Sequence, residues 1–194
     1  MESVRTFVAI RLPGDVQRAV ADLQDRIHVP GVRVKWVEPE NFHLTLKFLG
    51  DVPEDRLDRV FGAVEKGCEG QEAFAMSLEG VGAFPNLRRP RVVWIGLNRG
   101  REEVARLAAS VEALLADVGF EREERPFRAH ATVGRVKDVS PAVRQLGDRI
   151  AAERLALEGI RIDRVEVMKS QLTRRGPLYS VQREVVLAGG EGSG

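Results

Sequence analysis

Short apolar runs alternate with longer amphipathic segments along this chain, and the same order occurs twice. Residues 6–12 (TFVAIRL) suit a buried β-strand, and residues 15–27 carry apolar side chains at helical spacing, with Asp15 as the expected N-cap. In the second half, residues 91–97 (RVVWIGL) suit another strand, and residues 101–118 form an amphipathic helical pattern. This repeated order predicts two α+β lobes and suggests an internal duplication.

The other segments continue the alternation and contain no obvious linker. We expect further strands at residues 32–37, 42–49, 73–83, 127–136, 161–172 and 178–187. We expect further helices at residues 55–66 and after Ser140-Pro141, with a turn at Gly50-Asp51. Because no Pro/Gly/Ser-rich stretch separates the two halves, we expect the lobes to pack as one unit around a shared cleft.

The domain organisation predicted from these patterns is simple. A single bilobal domain is expected over residues 1–188, with halves at about 1–90 and 91–188, followed by a flexible tail at 189–194. The length of 194 residues and a hydrophobic content of 43% are compatible with a sizeable core. The net charge of +1 argues against a protein that coats duplex nucleic acid. With no apolar run of membrane-spanning length and no signal-peptide pattern, we expect a soluble cytoplasmic protein.

Two of the three histidines lie in the same local sequence. His43 and Thr45 occur in NFHLTLKF, and His130 and Thr132 occur in RAHATVGR, each pair inside an expected strand. Because strand side chains alternate between faces, each strand should present an imidazole beside a hydroxyl on one face and apolar side chains on the other. The alternative is that both are core histidines bonded to nearby threonines.

Paired imidazoles and hydroxyls suit phosphate chemistry. Two histidines across a cleft can act as general base and general acid, because the histidine pKa lies near neutrality. Hydroxyls and an arginine suit a tetrahedral oxyanion. The sequence has no P-loop, nucleophile elbow, HExxH motif or Asp-rich cluster for two metal ions. Metal-free phosphoester chemistry with no cofactor is therefore expected; zinc binding by the two histidines is the alternative, although no third and fourth ligand is evident.

These residues resemble those of a known family. Two HxTx motifs about half a chain apart are the signature of the 2H phosphoesterases, and the chain looks most like their RNA 2′,3′-cyclic phosphodiesterase branch, first described as 2′–5′ RNA ligases. The resemblance extends from TFVAIRLP through WVEPENFHLTLKFLG, GVGAFPNLRRPRVVWIGL and GFEREERPFRAHATVGRV to the segment 170–179. It implies a bilobal α+β fold with two pseudo-symmetric antiparallel-sheet lobes, helices outside and a central cleft.

The resemblance also implies roles for particular residues. His43 and His130 correspond to the catalytic pair, with His130 activating water and His43 protonating the leaving oxygen, and Thr45 and Thr132 correspond to the phosphate-binding hydroxyls. Arg135 is similar to a phosphate or substrate contact of the family. Strand alternation alone places Arg135 on the face opposite His130 unless the strand bends or bulges at the preceding glycine.

Two further residues near these motifs also carry expectations. Lys47 should share the face of His43, where it could add positive charge to the cleft, and a solvated position at the strand end is the alternative. Ala131 stands where the family usually has a larger apolar residue. Because the Ala131 side chain should point away from the cleft, this departure should affect packing and leave the chemistry unchanged.

The expected function is hydrolysis of a 2′,3′-cyclic phosphate, on an RNA end or a small nucleotide, to a 2′-phosphomonoester. One alternative is 2′–5′ RNA ligation, which reverses the reaction through the same transition state. Another is a non-catalytic RNA- or nucleotide-binding module, which would need exposed aromatic side chains for base stacking. Aromatic residues make up only 6% of the chain, and Tyr179 is its single tyrosine. Nothing in the sequence requires more than a monomer.

Overall fold

The computed structural model describes residues 2–124, 127–174 and 176–190. Within these ranges the strands are β1 (Ser3–Arg11), β2 (Val34–Trp36), β3 (His43–Pro53), β4 (Phe74–Phe84), β5 (Val92–Leu97), β6 (His130–Val136), β7 (Ala156–Ile162), β8 (Arg164–Thr173) and β9 (Gly176–Val186). The α-helices are α1 (Gly14–Ile27), α2 (Leu57–Cys68), α3 (Arg101–Asp117) and α4 (Val143–Ala152). The α+β class predicted from the sequence is confirmed.

The strands form two antiparallel sheets, and each sheet takes strands from both halves of the sequence. The first sheet has the order β3-β1-β8-β9, and the second has the order β2-β6-β5-β4-β7. Strands β8 and β9 thus extend the sheet that contains β1, while β2 and β4 complete the sheet that contains β6. The two sheets therefore do not coincide with the sequence halves 1–90 and 91–188, although each sheet receives one His-x-Thr strand.

Helices cover one face of each sheet. Helices α2 and α3 pack together against the first sheet, and α4 packs against β4 of the second. The Gln24 amide of α1 donates hydrogen bonds to the carbonyl oxygens of Val37 and Val133 at 2.8 and 3.1 Å, which ties α1 to the second sheet. None of the four helices in the described ranges has the length and apolar character that crossing a bilayer requires.

Alternation along β1 separates a helix-covered face from a second face. Val8 and Ile10 belong to the main apolar core, whereas Phe7 and Ala9 pack with Met168 in a separate small cluster. Successive strand residues point to opposite faces, so the first sheet has the core on one side and a distinct surface on the other. That surface carries His43.

Two helices begin differently from the sequence prediction. Helix α1 follows Pro13 as N-cap, and Asp15 lies in its first turn without capping the helix, so the N-cap prediction was wrong. Helix α4 has Ala142 as its N-cap, so Ser140-Pro141 does not open it. The Asp138 carboxylate accepts hydrogen bonds from the next two backbone N–H groups, and the resulting turn delays the start of α4.

Two strand predictions also needed correction. Residues 161–172, expected as one strand, are divided at Asp163 between β7 and β8, which belong to different sheets. Strand β3 does not end at Gly50-Asp51 but continues to Pro53, because Gly50 adopts a φ of +71° at an irregular step in the pairing with β1.

The C-terminal tail predicted at 189–194 lies mostly outside the described residues, which end at Gly190. The backbone N–H of Gly190 donates to the carbonyl oxygen of Leu187 at 2.9 Å. Ala188 exchanges backbone hydrogen bonds with Gln71 and Ala73. The chain is thus fixed against the rest of the fold up to Gly190.

Candidate active site

Strand β3 presents His43, Thr45 and Phe48 on the same face. Its pairing with β1 shifts by one residue just after Thr45, so that Leu46 is an extra residue, a β-bulge. A bulge of this kind changes the alternation of side chains beyond it. Leu46 and Lys47 are consequently both buried, and the Phe48 ring returns to the face of His43 with 50% of its surface exposed.

Strand β6 repeats this arrangement around His130 and Thr132. Its pairing with β5 shifts by one residue just after Thr132, so that Val133 is the extra residue. Val133 and Gly134 are both buried, and Arg135 is exposed on the face of His130. Strand alternation required a bend or bulge for Arg135 to reach this face, and the bulge is present at Val133.

Lys47 does not face the cleft, and both sequence expectations for it were wrong. The bulge turns its side chain toward the helices, where its ammonium group donates to Glu112 Oε1 at 2.8 Å and to the carbonyl oxygen of Glu121 at 2.6 Å. The Lys47 side chain is only 9% exposed. Lys47 therefore links β3 to α3 and to the segment that precedes β6, a structural role.

The two histidine rings are held by the same hydrogen bond. His43 Nδ1 lies 2.6 Å from the carbonyl oxygen of Asn41, and His130 Nδ1 lies 2.6 Å from the carbonyl oxygen of Arg128. A carbonyl oxygen can only accept, so Nδ1 carries the proton in both rings. Nε2 is then the atom available for proton transfer in each case. The alternative in which the histidines are bonded to their neighbouring threonines does not hold.

Aromatic rings surround His43. The ring centroids of Phe7 and Tyr179 lie 5.0 and 5.4 Å from that of His43. This burial lowers the pKa of the His43 imidazole; the hydrogen bond to Asn41 acts in the opposite direction, and the positive charge of Arg11 adds to the lowering. In the free protein His43 is therefore biased toward its neutral form.

His130 lies beside a second aromatic cluster. The Phe84 ring meets it edge-on at 5.4 Å, and Trp94 stacks against Phe84 at 5.3 Å. Gly82 makes room for this arrangement, since a Cβ there would lie 2.4 Å from the Trp94 ring. Each histidine ring is therefore packed against aromatic side chains, which limit its movement.

The two threonine hydroxyls are available to a ligand. Thr45 is exposed and Thr132 is partly buried. In the described part of the chain neither hydroxyl has a hydrogen-bond partner. An unpaired hydroxyl on the same strand face as each histidine suits an oxyanion.

Residues of the two sheets influence each other across the cleft. Burial raises the pKa of the Tyr179 phenol, while the positive charges of Arg135 and Arg5 act in the opposite direction. Arg135 belongs to the second sheet, whereas Tyr179 belongs to the first and contacts His43. Strands β3 and β6 also approach each other directly. The two strands that carry the His-x-Thr motifs therefore lie next to each other in the fold.

A cavity of about 520 Å³ lies beside Asn41, near the start of β3. It is lined by Arg11, Tyr179, the carboxylates Glu38 and Glu40, and residues of β8 and β9 that include Thr173 and Pro177. Arg11 Nε donates to the buried carboxylate of Glu166 at 3.0 Å, so its charge is already compensated. Burial raises the pKa of Glu166, and the charge of Arg11 opposes that effect.

Sequence reasoning missed several residues of this site. Phe7, Arg11 and Tyr179 lie on β1 and β9, far in sequence from either motif. The alternation within TFVAIRL could have shown that Phe7 and Arg11 share a face. No local signal connects Tyr179 with His43, because that contact depends on the order of strands in the sheet.

The fold and the site together define a class of protein. Two antiparallel sheets each carry one strand with the same bulge, the same carbonyl-anchored histidine and the same unpaired threonine. This is the arrangement of a two-histidine phosphoesterase. Comparisons with known proteins agree with that assignment.

The sequence profile described as LigT-like phosphoesterase matches this chain twice, at residues 10–94 and 95–179. An RNA 2′,3′-cyclic phosphodiesterase of Methanothermobacter thermautotrophicus is 38% identical over 179 residues, covering 91% of this chain and 95% of that protein. A crystal structure of a Thermus thermophilus protein superposes with a TM-score of 0.78 at 27% identity, covering 97% and 100% of the two chains. E. coli LigT in complex with 3′-AMP gives 0.75 at 24% identity, covering 96% and 99%.

The chain therefore belongs to the LigT-like phosphoesterase family, and it is an enzyme of the 2H phosphoesterase type. The repeated match also reflects the repeated His-x-Thr strand, with one copy in each matched segment. The E. coli likeness concerns the fold alone at this level of identity.

Proposed function

We propose that the protein hydrolyses 2′,3′-cyclic phosphates of RNA ends or nucleotides to 2′-phosphomonoesters. The observation that carries the proposal is the repeated unit of a histidine with Nδ1 fixed by a carbonyl oxygen and an unpaired threonine hydroxyl on the same strand face. The RNA 2′,3′-cyclic phosphodiesterase name of the M. thermautotrophicus relative supports the choice of substrate.

In the proposed step the two histidines act on opposite sides of phosphorus. His130 Nε2 accepts a proton from water, and the water oxygen forms a new bond to phosphorus. The bond from phosphorus to O3′ breaks, and His43 Nε2–H gives its proton to O3′. The bond to O2′ is retained, so the product is a 2′-phosphate. Solvent exchange then restores the original protonation of both rings.

The threonines and Arg135 stabilise charge in this proposal. The hydroxyls of Thr45 and Thr132 donate to the two non-bridging oxygens, on which negative charge increases in the transition state. The exposed guanidinium of Arg135 favours an anionic substrate in the cleft. Removing either hydroxyl, as in Thr45→Val, should lower turnover without loss of fold, because neither side chain has a protein partner in the described chain.

The lowered pKa of His43 makes a testable demand on this mechanism. His43 must be protonated to act as an acid, yet burial favours its neutral form in the free protein. A bound phosphate anion stabilises the imidazolium and raises that pKa again. The alkaline limb of the pH profile should therefore lie at lower pH for kcat/KM, which reports the free enzyme, than for kcat, which reports the complex. Superimposable profiles would contradict the acid assignment.

A sulfur leaving group separates the two roles further. In a substrate with sulfur in place of O3′, the departing thiolate needs no general acid. His43→Ala should then lose much less activity on the sulfur substrate than on the oxygen substrate, while His130→Ala should lose the same on both. The opposite pattern would exchange the roles of the two histidines.

The product tests the direction of cleavage. An RNA ending in a 2′,3′-cyclic phosphate is digested, and the product is identified by phosphorus NMR against both monoester standards. A 2′-phosphate is expected. A 3′-phosphate would overturn the leaving-group assignment, and a mixture would mean that the cleft does not fix the ribose. Turnover of 2′,3′-cyclic AMP would in addition exclude a purely binding module.

We further infer that the protein acts as a monomeric catalytic unit over residues 1–188 in the cytoplasm. Both motifs lie in one chain, so the site needs no second copy. Light scattering after gel filtration should give one mass of 21.5 kDa. Cell fractionation should recover the protein with the RNA-containing soluble fraction.

A further inference from the structure

The two bulged strands place Phe48 and Arg135 at equivalent positions. Each lies three residues after the threonine of its motif, beyond a one-residue bulge, on the face of its histidine. The chain therefore has a guanidinium at this position on one side of the cleft and an aromatic ring on the other. The pseudo-symmetry of the site is broken at the level of sequence.

A second arginine restores the missing charge. The Arg5 guanidinium carbon lies 4.8 Å from the centroid of the Phe48 ring. Arg5 comes from β1, which pairs with β3, and its side chain is exposed. Stacking of a guanidinium on an aromatic face fixes its position while leaving its N–H groups free to donate in the plane.

Arg5 differs from the other stacked arginines in what it bonds. Within the described ranges, Arg56 stacks on Phe120 and donates to the carbonyl oxygen of Val118, and Arg183 stacks on Phe61 and pairs with Glu65. Arg5 makes neither a hydrogen bond nor an ion pair with any described residue. Its guanidinium is held on the Phe48 ring without a described protein acceptor, so its N–H groups are available to a ligand.

The charge distribution around His43 favours this side of the cleft for a polyanion. At the other end of β3 the cavity is lined by Glu38 and Glu40, and the charge of Arg11 is compensated by Glu166. Neither Arg5 nor Arg135 forms an ion pair with a described carboxylate, although Asp51 lies opposite Arg5 in the β1–β3 register, and the charges of both arginines oppose the rise that burial causes in the pKa of the Tyr179 phenol. Two guanidinium groups without an ion-pair partner among the described residues therefore lie on the Phe48 side of His43, where they favour phosphate groups.

Distance separates Arg5 from the reacting phosphate. Because Leu46 is bulged out, Thr45 and Phe48 pair with Ala9 and Phe7, which are two residues apart on β1; this corresponds to roughly 7 Å at about 3.3 Å per residue. The reacting phosphate has two non-bridging oxygens, and in the proposed mechanism the two threonine hydroxyls serve them. A guanidinium over Phe48 is therefore placed for a different phosphate of the same molecule.

We propose that Arg5, held on the Phe48 ring, binds the phosphodiester on the 5′ side of the terminal nucleotide, so that the enzyme prefers RNA ends to cyclic mononucleotides. This inference rests on the proposed function, because it assumes that the cyclic phosphate lies between His43 and His130. No covalent step involves Arg5.

The test compares two substrates that differ by one phosphodiester. Adenosine 2′,3′-cyclic phosphate has only the reacting phosphate, whereas the dinucleotide ApA with the same cyclic end adds the phosphate assigned to Arg5. Arg5→Gln should lower kcat/KM for the dinucleotide about tenfold, the typical effect of losing a hydrogen bond to a charged group, and leave the mononucleotide unchanged. The salt dependence for the dinucleotide should lose a slope of about 0.7.

Two further variants complete the experiment. Phe48→Leu should reproduce part of the Arg5→Gln effect, because it removes the ring that fixes the guanidinium. Arg183→Gln removes a comparable stack on Phe61 and should change neither substrate. Equal losses of Arg5→Gln on both substrates, or no loss on either, would overturn the proposal.

The outcome is distinguishable from failure of the proposed function. If the wild type cleaves neither substrate, the cyclic phosphodiesterase proposal fails. The role of Arg5 is then tested by calorimetry, which measures binding of the 2′-phosphorylated dinucleotide ApA and of adenosine 2′-phosphate. Arg5→Gln must then weaken binding of the dinucleotide alone. Weakening of both ligands, or of neither, would reject the role of Arg5 independently of catalysis.

Discussion

Gly134 offers a direct test of how the second motif is built, because it lies between Thr132 and Arg135 at the bulge. A Cβ at this position would lie 2.7 Å from Trp36 Cε3 and 3.0 Å from Val34 Cγ1, on the neighbouring edge strand β2. Ordinary carbon contacts are about 3.5–4.0 Å. Gly134→Ala therefore requires the edge strand or β6 to move by roughly an ångström.

The expected cost follows from this overlap. Overpacking by one methyl group in a closely packed site costs about 1–3 kcal/mol. The edge strand is short and can shift, so we expect about 1–2 kcal/mol of lost unfolding free energy, or roughly 2–4 °C in Tm for each kcal/mol. Because the bulge sets the direction of the next side chain, kcat/KM should fall as Arg135 is displaced.

The assay combines thermal unfolding with turnover of a cyclic nucleotide. Gly62→Ala is the matched control, since a Cβ there has no atom within 4 Å and the residue lies within α2. That variant should gain about 0.4–1 kcal/mol and keep full activity. In a Trp36→Ala background, Gly134→Ala should cost measurably less than alone. Wild-type stability and activity in the Gly134→Ala single variant would refute the reasoning.

Other predictions follow from the site and its surroundings. His43→Ala and His130→Ala should each lower turnover by about 10²–10⁴-fold, with a double variant little worse, and a near-wild-type single variant would contradict pairing. Activity should survive EDTA and dialysis, and loss in chelator that is restored by zinc or manganese would contradict metal-free catalysis. Burial lowers the pKa of His43 in the folded protein, so the unfolded chain binds a proton more readily. The unfolding free energy should therefore fall as the pH drops below the ordinary histidine pKa of about 6.5, and it should level off below the lowered pKa. In urea titrations at several pH values, His43→Gln should flatten this decline. Lys47→Met should lower the unfolding free energy by about 3 kcal/mol, because it leaves Glu112 without its ammonium partner. The double variant Lys47→Met/Glu112→Leu should recover part of this loss, as measured by denaturant unfolding.

The sequence alone was sufficient for most of the elements and for the pairing of each histidine with its threonine. Periodicity reports which side of an element is buried, and a strand period of two places residues i and i+2 on one face over so short a span. The positions of His43 with Thr45 and of His130 with Thr132 therefore followed from local pattern alone. The α+β class followed in the same way from the alternation of strands and helices.

Only the tertiary structure decided what depends on pairing between strands. Residues 161–172 looked like one strand because the alternation continues across Asp163, yet Ile162 pairs with Phe74 in one sheet while Arg164 pairs with Val186 in the other. The hydrophobic pattern shows which side chains are buried, but it does not show which neighbouring strand or helix buries them. For this reason the passage from one sheet to the other was invisible in the sequence.

The bulges after Thr45 and Thr132 have the same origin. Each is a mismatch in length between two paired strands, so its position depends on the partner as much as on the bulged segment. These two extra residues bury Lys47 and turn Phe48 and Arg135 toward the cleft. The sequence determined which side chains the site has available, and the register of the sheets determined which of them enter it, because a shift of one residue changes the face of every side chain that follows.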